Sequence, residues 1–159
     1  MMRSYQPNVL GKLGKAALAY AERGVPVFPC KPGGKEPLTK SGHLEATTDR
    51  ARLNLWWRRW PRANIGIPTG ERSGLLVLDI DADKGGFASL EEWEVEEPMP
   101  ETAMVRTGRG GIHYYFSYPA DGSRIPNSAS KLGPGLDVRG EGGYVLAPPS
   151  RTEGDYAYL

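Results

Sequence analysis

The chain has 159 residues and a formal net charge of +1, with 39% hydrophobic and 25% charged residues. This composition is typical of one folded domain with a hydrophobic core, and it excludes a disordered polar chain. A net charge so close to zero also excludes broad electrostatic attraction to nucleic acid or membranes, so any nucleic-acid contact must be local.

The single cysteine, Cys30, excludes an internal disulfide and a multi-cysteine zinc site, and we expect it to be a packing residue. The opening MMRSYQPNVL has no signal-peptide core, and no apolar run reaches the ~20 residues of a membrane span. We therefore expect a cytoplasmic protein with no membrane partner.

Two helices are predicted in the first part of the chain. Apolar residues recur at helical spacing in GKLGKAALAYAERG, and its last glycine, Gly24, is a typical helix stop. The stretch VPVFP predicts a short strand, and residues 30–47 predict a long basic loop. The second helix is expected to begin with Thr48 or Asp49 as N-cap and to continue through RARLNLWWRRW to Pro61.

Six apolar runs of strand length follow: NIGIPTG, GLLVLDID, AMVRTG, IHYYFSY, GLDVRG and GYVLAPP. Between the second and third lies an acidic helix, FASLEEWEVEE, which can bury Phe87, Leu90 and either Trp93 or Val95. Helices early and mostly strands later predict an α+β fold, with a mixed sheet and flanking helices, in a single domain over residues 1–159.

The run LLVLDIDADKGG places Asp79, Asp81 and Asp83 on alternate positions, so the carboxylates share a face if the strand continues. A divalent cation such as Mg²⁺ or Mn²⁺ would cancel their repulsion. The alternative for any one of them is a solvated strand end, and Asp83 suits a turn.

An EF-hand is excluded because its glycine and glutamate positions hold Lys84 and Leu90. A haloacid-dehalogenase phosphatase remains a competitor, although its usual Gly-Thr or Gly-Val turn is missing.

Two further stretches contain candidate site residues. In VRTGRGGIHYYF, a glycine-rich turn with Arg109 precedes His113 and resembles a phosphate cradle, although a tight hairpin with a structural histidine has the same pattern. In GLDVRGEGGYVLAPPS, Asp137 and Arg139 share one strand face. They either form a modest salt bridge or divide between a metal site and an anionic substrate.

In this order, LDID, TGRGGIH and GLDVRGEGGYVLAPPS, preceded by AERGVPVFPCKPGGKEPLT and HLEATTD, resemble the bifunctional DNA primase/polymerase N-terminal domain. That family belongs to the archaeo-eukaryotic primase superfamily, and the resemblance spans about residues 16–158. It implies a small α/β unit beside an RRM-like sheet, with the active site in the cleft over the sheet.

The resemblance also implies residue roles. The family's paired acidic motif falls on Asp79 and Asp81, its small-x-His motif on residues 111–113, and its third acidic motif on Asp137. The acids would hold two divalent ions, Mg²⁺ or Mn²⁺, and His113 would contact the nucleotide phosphates. The expected catalytic residues are therefore Asp79, Asp81, His113 and Asp137. The expected nucleotide contacts are Arg109, Gly110, Gly111, His113, Lys131 and Arg139, with Ser128 a candidate by position.

The implied activity is template-dependent transfer of a nucleotide to a 3′-hydroxyl with release of pyrophosphate. The expected partners are dNTP or NTP, a DNA template and a helicase domain or protein, because relatives are often parts of longer primase-helicases or replication proteins of mobile elements. Two alternatives stay open: a relative that binds nucleotide or single-stranded DNA without catalysis, and a metal-dependent phosphatase or nuclease.

Candidate template contacts lie in the second predicted helix and in the basic loop. The stretch DRARLNLWWRRWPR contains five arginines and three tryptophans. Trp56 and Trp60 are one helical turn apart, and we expect them to be core anchors rather than base-stacking platforms. Arg58 and Arg59 either touch phosphates or only keep the helix soluble, and the loop lysines Lys31, Lys35 and Lys40 are equally ambiguous.

Overall fold

A computed structural model describes residues 9–159, so the expectation about the first residues of the chain lies largely outside it. Its helices are α1 (Lys12–Glu22), α2 (Arg50–Arg59) and α3 (Gly86–Glu96), with 3-10 turns at Gly42–Glu45 and Ala82–Lys84. Its strands are β1 (Phe28–Cys30), β2 (Asn64–Pro68), β3 (Leu75–Ile80), β4 (Met104–Arg106), β5 (Ile112–Ser117), β6 (Leu136–Arg139), β7 (Tyr144–Ala147) and β8 (Ala157–Tyr158). No helix in this range combines the length and apolarity needed to cross a membrane.

Helices α1 and α2 pack together over a core cluster that includes Ala17, Leu53 and Ile65. Asp49 is the N-cap of α2, as predicted, because its carboxylate accepts a 3.0 Å hydrogen bond from the Ala51 N–H. Trp57 is only 2% exposed, and Trp56 and Trp60 are partly buried against the same cluster. The prediction that these tryptophans are core anchors is therefore confirmed.

The strands form two sheets rather than one. The smaller has the order β1-β2-β7 and the larger the order β6-β3-β5-β4-β8, and all their strand pairs are antiparallel. The α+β prediction is confirmed, whereas the mixed sheet is replaced by two antiparallel ones. Antiparallel neighbours can be joined by tight turns, such as the one between β4 and β5, while parallel neighbours need a long crossover.

The larger sheet has an inner and an outer face because side chains alternate along each strand. On the inner face, Val77 packs into the cluster that α1 and α2 also enter, and Val105 packs with Phe28 and Leu146 of the smaller sheet. The outer face carries a separate cluster around Leu78, Ile80, Tyr114 and Leu136. The inner face thus meets the smaller sheet, and the outer face meets α3.

Cys30 is a packing residue, as predicted. Its side chain is fully buried in the cluster between the sheets, and burial raises the pKa of its thiol to about 12. The thiol therefore stays protonated, and a protonated thiol is a poor nucleophile and metal ligand.

Helix α3 is covered less than its sequence predicts. Leu90 is buried, but Phe87 is 38% exposed, Trp93 45% and Val95 85%. The expected burial of Phe87 and of Trp93 or Val95 is thus wrong, because α3 lies against the sheet near Leu90 and leaves its other apolar side chains at the solvent boundary.

Candidate functional site

Three of the predicted site residues lie side by side across the larger sheet. Asp79 on β3 pairs in register with His113 on β5 and with Asp137 on β6, so all three side chains share the inner face. Asp79 Oδ1 lies 3.4 Å from His113 Nε2. His113 and Asp137 are each 5% exposed, so both residues are buried.

Asp81 follows the end of β3 and is fixed through its backbone. Its N–H donates to the Gly135 carbonyl at 2.8 Å, and its own carbonyl accepts from the Gly86 N–H at 2.9 Å. A Cβ at Gly86 would lie only 2.7 Å from the Asp81 carbonyl oxygen, so this close approach requires glycine. The Asp81 carboxylate accepts a 2.9 Å bond from the Asp83 N–H and so caps the 3-10 turn Ala82–Lys84, which contains Asp83.

The partly buried Asp79 and the buried Asp137 share one cation. A terminal nitrogen of Arg139 lies 3.4 Å from Asp79 Oδ2 and 3.3 Å from Asp137 Oδ2. Asp137 also accepts a 2.9 Å hydrogen bond from the backbone N–H of Ser130, a non-glycine residue with a positive φ of 53°. Such a conformation costs on the order of 1 kcal/mol, and residues strained in this way cluster at functional sites.

The charges around Asp79 determine its protonation. Burial raises the pKa of this carboxyl, but hydrogen bonds and charges from His113 and Arg139 lower the pKa by more, so it falls below its usual 3.8. Burial, together with the Asp79 charge, raises the pKa of the Tyr156 phenol to about 12. At neutral pH the site therefore contains an ionised Asp79 beside a neutral Tyr156.

Protein stability should depend on this carboxylate at acid pH. Because the folded-state pKa of Asp79 is lowered, its contribution is fully present above pH 3.8 and is lost as the pH falls through the folded-state value. Urea unfolding of the wild type and of Asp79→Asn, from about pH 2 to about pH 6, would measure this contribution, because carboxyl groups titrate within that range. We expect the gap in unfolding free energy to narrow toward the acid end, and a gap independent of pH would contradict the assignment.

These side chains line a cleft between the two sheets. Its larger lobe, about 490 Å³, contains all three predicted acids with His113 and Arg139. A second lobe of about 230 Å³ continues toward β7 and includes Asn127 and Tyr144. Both lobes are lined by Lys35, Asp79, His113, Arg139 and Tyr156.

The predicted nucleotide contacts are only partly brought together. Arg109 and Gly111 line the larger lobe, and Arg109 contacts Asp83 Oδ2 at 2.8 Å. A Cβ at Gly111 would collide with the Ile80 carbonyl oxygen, so glycine allows this turn to approach the end of β3. Gly110 occupies the turn with a φ of 83°. Lys131 is exposed and does not line either lobe.

Sequence reasoning missed several side chains of the cleft, among them Lys35, Tyr144 and Tyr156. Lys35 was assigned only to an ambiguous basic loop, yet it lines both lobes, and its carbonyl accepts a 3.0 Å hydrogen bond from the Tyr144 hydroxyl. Tyr156 lies with its ring centre 6.1 Å from that of His113. The signal available for Tyr144 was its place in GYVLAPP, one of the quoted motifs, whereas Lys35 and Tyr156 lie in irregular segments.

The donor set suits a hard divalent cation in its chemistry. Four aspartates, Asp79, Asp81, Asp83 and Asp137, line the larger lobe, and His113 Nδ1 is buried with no hydrogen-bond partner within residues 9–159. Asp79 and Asp137 both contact the Arg139 guanidinium. Positive charge between these two carboxylates therefore offsets their repulsion. With side chains in these positions, no three acidic, histidine or cysteine groups of the described residues are arranged around one ion position.

Comparison with known proteins agrees with the resemblance of the motifs. The family model of the bifunctional DNA primase/polymerase N-terminal domain matches residues 17–159, which include every residue of the cleft. A search of curated proteins found no match. The chain therefore belongs to the bifunctional DNA primase/polymerase N-terminal family, and membership implies a nucleotidyltransferase of the primase/polymerase type that binds nucleotides and DNA.

Proposed function

We propose that this chain is a template-dependent nucleotidyltransferase that joins a dNTP or NTP to the 3′-hydroxyl of a growing strand. In this reaction the 3′-hydroxyl loses its proton to solvent as its oxygen bonds to the α-phosphorus, the bond from that phosphorus to the oxygen that bridges to the β-phosphate breaks, and pyrophosphate leaves with the electron pair. The observation that carries the proposal is the register that brings Asp79, His113 and Asp137 together in the cleft of a family member.

Asp79, Asp81 and Asp137 are the residues that would hold two divalent ions, Mg²⁺ or Mn²⁺. When bound, such ions supply Lewis-acid activation of the attacking hydroxyl and neutralise charge on the leaving pyrophosphate. The proposal is supported by the oxygen-rich donor set, by the low pKa of Asp79, which keeps its carboxylate ionised, and by the fixed backbone of Asp81.

The remaining side chains of the cleft would bind and orient the triphosphate. The His113 ring packs near the rings of Tyr115 and Tyr156, with centroid distances of 6.5 and 6.1 Å, and this packing limits its orientation. Arg139 and Arg109 supply guanidinium groups, whose planar forks suit phosphate oxygens. In this proposal Arg139 leaves its carboxylate partners for the phosphates, and catalysis comes from positioning and charge stabilisation rather than from covalent chemistry by the protein.

A primer-extension assay tests the function directly. Labelled dNTPs and, separately, NTPs are supplied on a single-stranded DNA template with and without a primer, and product length is measured. We expect extension that stops when EDTA is added and resumes with excess Mg²⁺ or Mn²⁺. Nucleotide binding without pyrophosphate release would show a non-catalytic binding protein instead, and hydrolysis without extension would show a phosphatase or nuclease.

Lys35 provides a prediction that separates binding from chemistry. Lys35 makes no ion pair within residues 9–159 and lines both lobes of a cleft assigned to a polyanion. We expect Lys35→Ala to raise the KM for nucleotide about tenfold with little change in kcat, as for a contact equally strong in ground and transition states. Lys40→Ala is the matched control, since Lys40 is exposed on the same loop and lines neither lobe. Equal KM values in both variants would contradict a contact with Lys35.

A further inference from the structure

The outer face of the larger sheet has an apolar groove that the proposed function does not use. One helix, α3, covers only part of this face, and a groove of about 300 Å³ remains beside it. The groove is lined mainly by Leu76, Leu78, Trp93, Phe116, Leu132 and Val138. Trp93 is 45% exposed and Leu132 42%, so large apolar side chains stand open to solvent on both sides. Contiguous exposed apolar surface of this kind marks an interaction site more often than chance.

Helix α3 and the segment that follows it, which contribute Trp93 and Glu97 to the groove, are strongly acidic. Residues 91–101 contain six glutamates, Glu91, Glu92, Glu94, Glu96, Glu97 and Glu101, and no lysine or arginine occurs between Lys84 and Arg106. All six are exposed, Glu97 also lines the groove, and none forms an ion pair within the described part of the chain. Glu94 and Glu96 occupy the last turn of α3, where negative charge opposes the helix dipole. The helix itself gains no stability from these charges.

The edge of the sheet beside the groove is already paired. The Ser128 N–H donates to the Val138 carbonyl at 3.0 Å, and the Val138 N–H donates to the Ser128 carbonyl at 2.9 Å. A partner strand therefore cannot extend the sheet at β6. A partner must bind through side chains while satisfying its own backbone hydrogen bonds, as a helix does.

We propose that this groove binds a helix of a partner protein that presents an apolar ridge flanked by lysine and arginine. The apolar ridge fills the space over Val138 and Phe116, and the flanking cations meet the carboxylates along α3. Anionic partners, including DNA and acidic membranes, are repelled by the same carboxylates. A second copy of this chain approaching by the same face would place two acidic α3 helices against each other, which is also unfavourable.

Selection from a displayed library of helix-forming peptides tests the proposal. Binders to the intact protein are selected, and those that also bind Leu132→Glu are removed. We expect enriched sequences to carry apolar anchors at i, i+4 and i+7 spacing with lysine or arginine beside them. Enrichment of acidic or extended sequences would overturn the proposal. So would a selection in which every enriched peptide also binds Leu132→Glu.

Matched variants then measure the contacts with one selected peptide. Leu132→Glu is expected to weaken binding at least about tenfold, while Val95→Glu, which places the same charge on α3 outside the groove, weakens it much less. Glu97→Lys should weaken binding about threefold to fivefold, and Glu71→Lys, at an exposed site that does not line the groove, should not. Melting temperatures confirm that each variant is folded. Equal affinities for Leu132→Glu and Val95→Glu would overturn the assignment.

Sedimentation equilibrium of the wild type and Leu132→Glu distinguishes a second copy of the chain as the occupant. We expect both proteins to be monomeric at micromolar concentration, since like charges face each other in such a dimer. A wild-type dimer that Leu132→Glu dissociates would overturn the proposal and assign the groove to self-association.

Discussion

Asp79→Asn and Asp137→Asn are each expected to lower the rate of nucleotide incorporation by about a thousandfold, as when a charge-stabilising group is lost from a transition state. Asparagine keeps the size of the side chain and an acceptor oxygen, so the Ser130 N–H can still be satisfied at position 137. Each substitution therefore removes the negative charge of the carboxylate. Single-turnover incorporation of a labelled nucleotide at saturating concentration measures the rate, and a melting curve measures folding.

Asp121→Asn is the control for this pair. Asp121 is exposed on a loop, where its carboxylate accepts a 2.9 Å hydrogen bond from the Ser123 N–H, and it does not line the cleft. The same substitution there should leave the incorporation rate within about twofold of the wild type. Wild-type rates in both Asp79→Asn and Asp137→Asn would show that these carboxylates do not take part in the reaction.

Local pattern predicted most of the elements because it determines them. Helices α1 and α2 and strands β1 to β7 each contain a periodic or uninterrupted apolar run, and the cap at Asp49 follows from its residue type. Strand β8, Ala157–Tyr158, is too short to have a period and forms only because β4 offers an edge. Local pattern did not specify the separation into two sheets, since β2 pairs with β7 far along the chain, and only the resemblance implied a small α/β unit beside an RRM-like sheet.

Local pattern also predicted only part of the candidate site. Alternation along one strand placed Asp137 and Arg139 on a shared face, but it could not state which strand lies beside β3. The register of β3 with β5 and β6 supplies that information and brings His113 and Asp137 to Asp79. From the sequence, only the resemblance to a family implied that these three residues meet. Lys35 was undetermined because its place in the cleft is set by tertiary contacts of a loop.

The largest expected effect on stability comes from one of those tertiary contacts, at Asn64. This side chain is 2% exposed, and its amide nitrogen donates to the carbonyls of Gly34 at 2.9 Å and Arg151 at 2.8 Å. Its oxygen accepts from the Arg151 N–H at 3.0 Å. Asn64 thus ties the start of β2 to the loop that carries Lys35 and to the segment after β7.

Asn64→Asp replaces the donor nitrogen with an oxygen that faces two carbonyls, and it buries a negative charge. We expect the free energy of unfolding at neutral pH to fall by about 3–5 kcal/mol and the melting temperature by roughly 10 °C. Asn54→Asp is the matched control on the surface of α2, where the amide donates to the Arg50 carbonyl at 2.9 Å, and its effect should be within about 0.5 kcal/mol. Urea unfolding of both variants measures the difference.

The pH dependence of Asn64→Asp identifies the cause of its instability. A protonated aspartic acid has no charge and can donate one hydrogen bond, so the deficit relative to the wild type should narrow as the pH falls. A deficit that stays constant with pH would instead indicate a packing defect. Because Gly34 precedes Lys35, the folded fraction of this variant should also have a raised KM for nucleotide, which would couple the stability of the loop to substrate binding in the cleft.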